Sequence, residues 1–97
     1  MLTGKQRAKL RSMATSLQPI FQIGKGGISE EMNRQLSAAL EARELIKVKV
    51  LDSSEEPAAV CAQVIAEAIH ADVVAVVGNR FTLYKESVNK KRIFLDE

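Results

Sequence analysis

Pro19-Ile20-Phe21-Gln22-Ile23-Gly24-Lys25-Gly26-Gly27-Ile28-Ser29-Glu30-Glu31 sets a strand against a helix across a glycine loop. Pro19 stops any preceding helix, and the β-branched and aromatic residues after it predict a short strand over 19–23. The glycine cluster Gly24-Lys25-Gly26-Gly27 ends that strand. Ser29 offers a hydroxyl as helix N-cap, and Glu30 and Glu31 occupy a first turn where the helix dipole favours negative charge. A parallel strand returning from such a helix needs a crossover of a dozen or more residues, and 24–44 supplies one.

Working outward, Thr3 and Gln6 form a capping box ahead of a helix whose apolar stripe is Leu10, Met13, Ala14 and Leu17. On the other side, Met32, Leu36, Ala39 and Leu40 give the helix after the loop its buried face. Leu45–Leu51 then alternates, with Ile46, Val48 and Val50 on one side and Lys47 and Lys49 on a basic open side. Ser53 or Ser54 is expected to cap a third helix, with Glu55, Glu56 and Pro57 in its first turn and Val60, Val64, Ile65, Ala68 and Ile69 as its stripe. Val73–Val77 is apolar on both faces, which predicts a central strand. Gly78-Asn79 is a turn pair with Asn79 in the unusual backbone position, and Arg80–Lys85 returns as an antiparallel strand. The expected order is α-β-α-β-α-β-β, an α/β fold with a four-stranded mixed sheet and right-handed crossovers.

The 97 residues, 46% of them hydrophobic, suit one domain with a modest core. No apolar run approaches the roughly 18 residues of a membrane span, and no signal-peptide layout opens the chain. Cys61 is the single cysteine, so no internal disulfide can form. These features point to the cytosol. Net charge is +2, but residues 1–27 carry Lys5, Arg7, Lys9, Arg11 and Lys25 without one acid, whereas 28–84 are net acidic. A polyanion would therefore meet a basic end rather than a basic body.

Gly24-Lys25-Gly26-Gly27 matches neither the nucleotide P-loop nor the dinucleotide fingerprint. It does match the short GxxG clamp with which KH-type domains hold single-stranded RNA, where bare backbone approaches phosphate and N–H groups form an anion nest. The bland alternative is a tight turn whose glycines only solve a backbone requirement. Lys5, Arg7, Lys9 and Arg11 lie on the polar part of the first helix. Without compensating acid they suit phosphate neutralisation rather than a merely solvated face. Lys90-Lys91-Arg92 either adds to that surface or is a polar tail. His70, the one histidine, ends the third helix, where its charge would suit the dipole. Cys61 reads as a small packed residue. No triad or metal-ligand spacing appears, so no enzyme, cofactor or metal is expected.

The motifs combine into one pattern. Leu2-Thr3-Gly4-Lys5-Gln6-Arg7, Leu10-Arg11-Ser12-Met13-Ala14, Pro19 and Ile23-Gly24-Lys25-Gly26-Gly27 resemble the CRM domain, named for chloroplast RNA splicing and ribosome maturation. Leu45–Val50, Val77-Gly78 and Leu83-Tyr84 extend the resemblance over about residues 2–85, leaving a short C-terminal tail in a single domain of 1–97. At this length the chain is similar to the stand-alone bacterial YhbY-like members. The resemblance implies a fold like the C-terminal domain of translation initiation factor three. It also implies RNA binding through Gly24, Lys25, Gly26, Gly27 and the adjacent basic surface, on large-subunit ribosomal RNA precursors during assembly. Partners on this reading are RNA or a pre-ribosomal particle, with no membrane and no small-molecule substrate, and the protein is a monomer. The family's last strand often ends Leu-Tyr-Arg, whereas this chain has Leu83-Tyr84-Lys85, which keeps the charge but, if that position touches RNA, gives up a planar bidentate phosphate contact. The alternative function is a module docking ribosomal or assembly proteins.

Overall fold

A computed structural model describes residues 2–95. Its elements run α1 (Gly4–Ala14), β1 (Phe21–Ile23), α2 (Glu30–Arg43), β2 (Leu45–Val50), α3 (Ala58–Ile69), β3 (Asp72–Val77) and β4 (Arg80–Tyr84). Two helix starts are those the sequence dictates. Thr3 Oγ1 accepts from Gln6 N–H while Gln6 Oε1 accepts from Thr3 N–H, both at 3.0 Å, and Ser29 Oγ accepts from Met32 N–H at 3.1 Å. The third differs. Pro57, whose ring offers no acceptor, is the N-cap of α3, and Ser54 is spent inside its own turn on the N–H and carbonyl of Glu56.

The sheet order is β1-β2-β4-β3, with β1 parallel to β2 and β4 antiparallel to both its neighbours. The crossover through α3 leaves a one-strand gap, and the hairpin folds β4 back into it. β3 is therefore an edge strand, not the central one its composition suggested. Its apolar run records helices on both faces: Val73 packs with the α2/α3 core, and Val74 and Ala75 pack with α1. A bulge between Val73 and Ala75 breaks the regularity of this edge, and the Arg7 guanidinium donates to the Val73 carbonyl. Both devices blunt an edge that would otherwise template pairing with another chain. The hairpin turns on Gly78 at φ 59°, so the glycine and not Asn79 takes the left-handed position.

One core lies between the sheet and α2 with α3, built on Ile23, Leu36, Leu40, Ile46, Ile65 and Phe81. The other lies under α1 and holds Leu10, Ala14, Leu45, Val74, Tyr84 and Ile93. In α3 the buried stripe is Cys61, Ala62, Ile65, Ala66 and Ile69, whereas the expected Val60 and Val64 are 40% and 47% exposed. Small residues win the inward face because they let the helix axis approach the sheet, leaving the bulkier valines on the flank.

Glu44 closes α2. It is fully buried and sits at φ 67°, a left-handed conformation that a non-glycine residue adopts at a cost. Its carboxylate repays that strain by accepting the N–H groups of Ser87, Arg92 and Ile93 at 2.7, 2.5 and 2.6 Å. Glu41, one turn earlier, accepts Ser87 Oγ at 2.7 Å and the N–H groups of Val88 and Asn89 at 3.0 Å. The segment after β4 is thus bound down, and Ile93 seals the second core. Burial pushes the Glu44 carboxyl up, but the three N–H donors outweigh it and hold it below its ordinary value. Glu41 is also lowered, by Ser87 first and then by Val88 and Asn89.

Candidate nucleic-acid interface

Residues 24–27 form a single tight turn in which Gly27 N–H donates to the Gly24 carbonyl at 3.0 Å. The glycines differ in what they are for. Gly27 has φ +71°, which the turn itself requires, and a side chain on Gly24 would meet Ser53 Oγ at 3.1 Å. Gly26 has neither excuse: its φ is not positive, and a Cβ there would meet nothing within 4 Å. The fold does not need that residue to be bare. Lys25 and Gly26 are exposed at the tip, and among the described residues their N–H groups take no partner. The α2 dipole adds less than expected, because Glu30 and Glu31 sit in its first turn. Lys25 and the two unpartnered N–H groups are what the loop tip offers to solvent.

The four basic residues of α1 do not form one row. At about 100° per residue, Lys5 and Lys9 share one flank and Arg7 and Arg11 the other. Lys9 Nζ donates to the Phe94 carbonyl at 2.9 Å, and Arg7 is engaged by Val73. Arg11 lines an open cleft together with Lys47 and Arg80 of the sheet. Lys47 and Lys49 were legible as a basic open face, but their joining with Arg80 and Arg11 depends on strand register, which the sequence does not display.

The family model for the CRS1/YhbY (CRM) domain matches residues 2–85. The chain belongs to the CRM domain family. Among related CRM proteins, the "Probable RNA-binding protein YqeI" of Bacillus subtilis is 50% identical over 98% of this chain and 99% of its own length. The "RNA-binding protein" of Haemophilus influenzae is 31% identical over 93% of this chain and 91% of its own. The solution structure of SAV1595 from Staphylococcus aureus superposes with a TM-score of 0.78 at 45% identity, covering 99% of this chain and all of that one.

Within this CRM domain, the residues that could suggest other chemistry have structural work. Cys61 is 1% exposed in the α3 stripe, with its thiol toward the Glu56 carbonyl at 3.7 Å. His70 caps α3 through its backbone, at φ 59° with its N–H on the Ala66 carbonyl. Lys85, at the position where the family often has arginine, donates Nζ to the Ile69 carbonyl at 2.9 Å and so satisfies the end of α3. Lysine there serves the helix terminus. Lys91 lies over the Phe94 ring, 5.3 Å from its centre, and also pairs with Glu86. The C-terminal basic run is therefore partly committed to holding its own segment.

Proposed function

We propose that this CRM domain is a non-catalytic RNA binder whose target is large-subunit ribosomal RNA precursor, and that it assists assembly of that subunit as a monomer. The observation that carries the proposal is Gly26, bare without steric or conformational cause, beside Lys25 and two unpartnered N–H groups. A phosphate on the loop tip gives all three features a purpose. The names of the bacterial relatives support RNA as the ligand class. The ribosomal target follows the family resemblance and the acid-free first 27 residues.

Crosslinking the protein in cells and sequencing the attached RNA tests the target. Large-subunit precursor sequences should dominate, and an even spread over messenger RNA would overturn the ribosomal assignment. The contribution of α1 is tested residue by residue. Arg11→Gln is expected to flatten the salt dependence of RNA affinity by about 0.7, the share of one phosphate contact on a single strand. Arg7→Gln should leave that slope unchanged, because its guanidinium serves Val73. Equal effects from both would restore a single continuous basic face on α1.

A further inference from the structure

The half of the sheet face that α1 leaves open is a basic lattice. Residues paired in register point to the same side, so Gln22, Lys49, Arg80 and Val77 form one row across all four strands. Lys47, Thr82 and Ala75 form the next row. The end of α1 walls this floor, and Arg11 closes with Lys47, Arg80 and Thr82 a cleft of about 350 Å³. No acidic residue lines it. Among the described residues, none of Arg11, Lys47, Lys49 and Arg80 takes part in an ion pair. Lys49 and Arg80 stand directly opposite each other on neighbouring strands, a like-charge pairing that works against the sheet. Lys47, Lys49 and Arg80 come from a stretch of chain that is net acidic, and with Arg11 the fold assembles them into a cluster of cations that, among the described residues, takes part in no ion pair.

The lattice is continuous with the glycine loop. Gln22 begins the row two residues before Gly24. Leu51 N–H donates to the Ile23 carbonyl at 2.8 Å and Val50 N–H to the Asn79 carbonyl at 2.7 Å, so the loop, the end of β2 and the hairpin form one rim. We infer that this face is a track for an RNA backbone: an extended single strand leaving the Gly24–Gly27 turn crosses Lys49 and Arg80 and enters the cleft beside Arg11. The inference rests on the proposed RNA-binding function and adds the path of the strand. Aromatic side chains are absent from the floor. Phe21 and Phe81 belong to the opposite core, and Tyr84 is buried under α1. Bases are consequently not stacked, and the track reads phosphate and ribose, with weak sequence preference and a steep salt dependence.

The test uses the full chain and a mixed-sequence single-stranded RNA of about 16 nucleotides. The triple variant Lys47→Gln, Lys49→Gln, Arg80→Gln should bind at least about tenfold more weakly at low salt and lose about 2 from the salt slope, in proportion to three contacts. Its thermal stability should not fall, since a like-charge pair is removed, which separates lost binding from lost fold. Lys90→Gln, at the far end of the sheet beside Glu41, should change neither quantity. A triple variant that binds like the parent while Gly26→Asp abolishes binding overturns the track and leaves the RNA-binding function standing. A parent that binds duplex RNA but not the single strand also overturns the track. A parent that binds no RNA overturns both.

Discussion

Gly26→Asp is expected to abolish RNA binding while leaving the protein as stable as the parent. The new side chain enters open space at a residue with ordinary φ, so neither clash nor strain follows. Its carboxylate would stand where a phosphate belongs, beside Glu30 and Glu31, which already offset the dipole of α2. Repulsion and loss of close approach together should cost on the order of 2–4 kcal/mol of binding, about 30- to 1,000-fold. Gly26→Ala adds the Cβ without the charge and should cost far less. Lys25→Ala should cost on the order of 1 kcal/mol, the share of one charge-assisted contact. Titration of labelled RNA, with chemical denaturation of each variant as a control, reads both quantities. Folded Asp, Ala and Lys25 variants that all bind like the parent would move the RNA site off the loop. Gly27→Ala behaves differently: φ +71° makes it a stability variant, destabilised by about 1–2 kcal/mol.

The largest stability loss is expected at Glu44. Glu44→Ala strands three N–H groups in a buried site and keeps the left-handed backbone without its compensation. Such a loss is worth about 3–5 kcal/mol, a large part of the stability of a domain this size. Glu44→Gln keeps the shape but turns a donor toward donors, so it should lie between the parent and Ala. Urea denaturation gives the magnitudes, and amide exchange at Ser87, Arg92 and Ile93 locates the effect. A Glu44→Ala protein within about 1 kcal/mol of the parent would show that these bonds are not what holds the C-terminal segment. The pH dependence has a fixed sign. Glu41 and Glu44 both have folded pKa values lowered, so their contribution is complete above the ordinary carboxyl value of about 4.5. It is lost as pH falls through the folded values below that. Exchange protection at 87–93 should therefore decay first on acidification, ahead of the sheet.

The glycine loop, both side-chain helix caps and the element order were legible because they rest on local chemistry: a hydroxyl three residues from an amide donor, or a proline ahead of an apolar run. Strand order was not. An apolar strand looks central from its composition, and only the pairing with β4 reveals Val73–Val77 as an edge, with Val76 and Val77 exposed. The α3 stripe was legible at Ile65 and Ile69 but misplaced at Val60 and Val64, because valine outweighs alanine in hydrophobicity whereas the sheet selected the smaller side chains. Lys5, Arg7, Lys9 and Arg11 were correctly noted as acid-free, but helical angle splits them and long-range partners engage Arg7 and Lys9. Glu44 carried no signal at all. A glutamate at a helix end is ordinary until its donors arrive from residues 48 and 49 positions further along.

That separation has a consequence for how the domain matures as it is made. At about 5–20 residues per second, the ribosome polymerises Arg92 and Ile93 several seconds after Glu44. A nascent chain extended only to Lys85 already contains every helix and strand, yet its Glu44 carboxylate has none of its three backbone donors and Ile93 has not closed the core under α1. Topology is complete before burial is. Residues 86–95 act as a closing clasp, and full burial of the domain waits until they have left the exit tunnel.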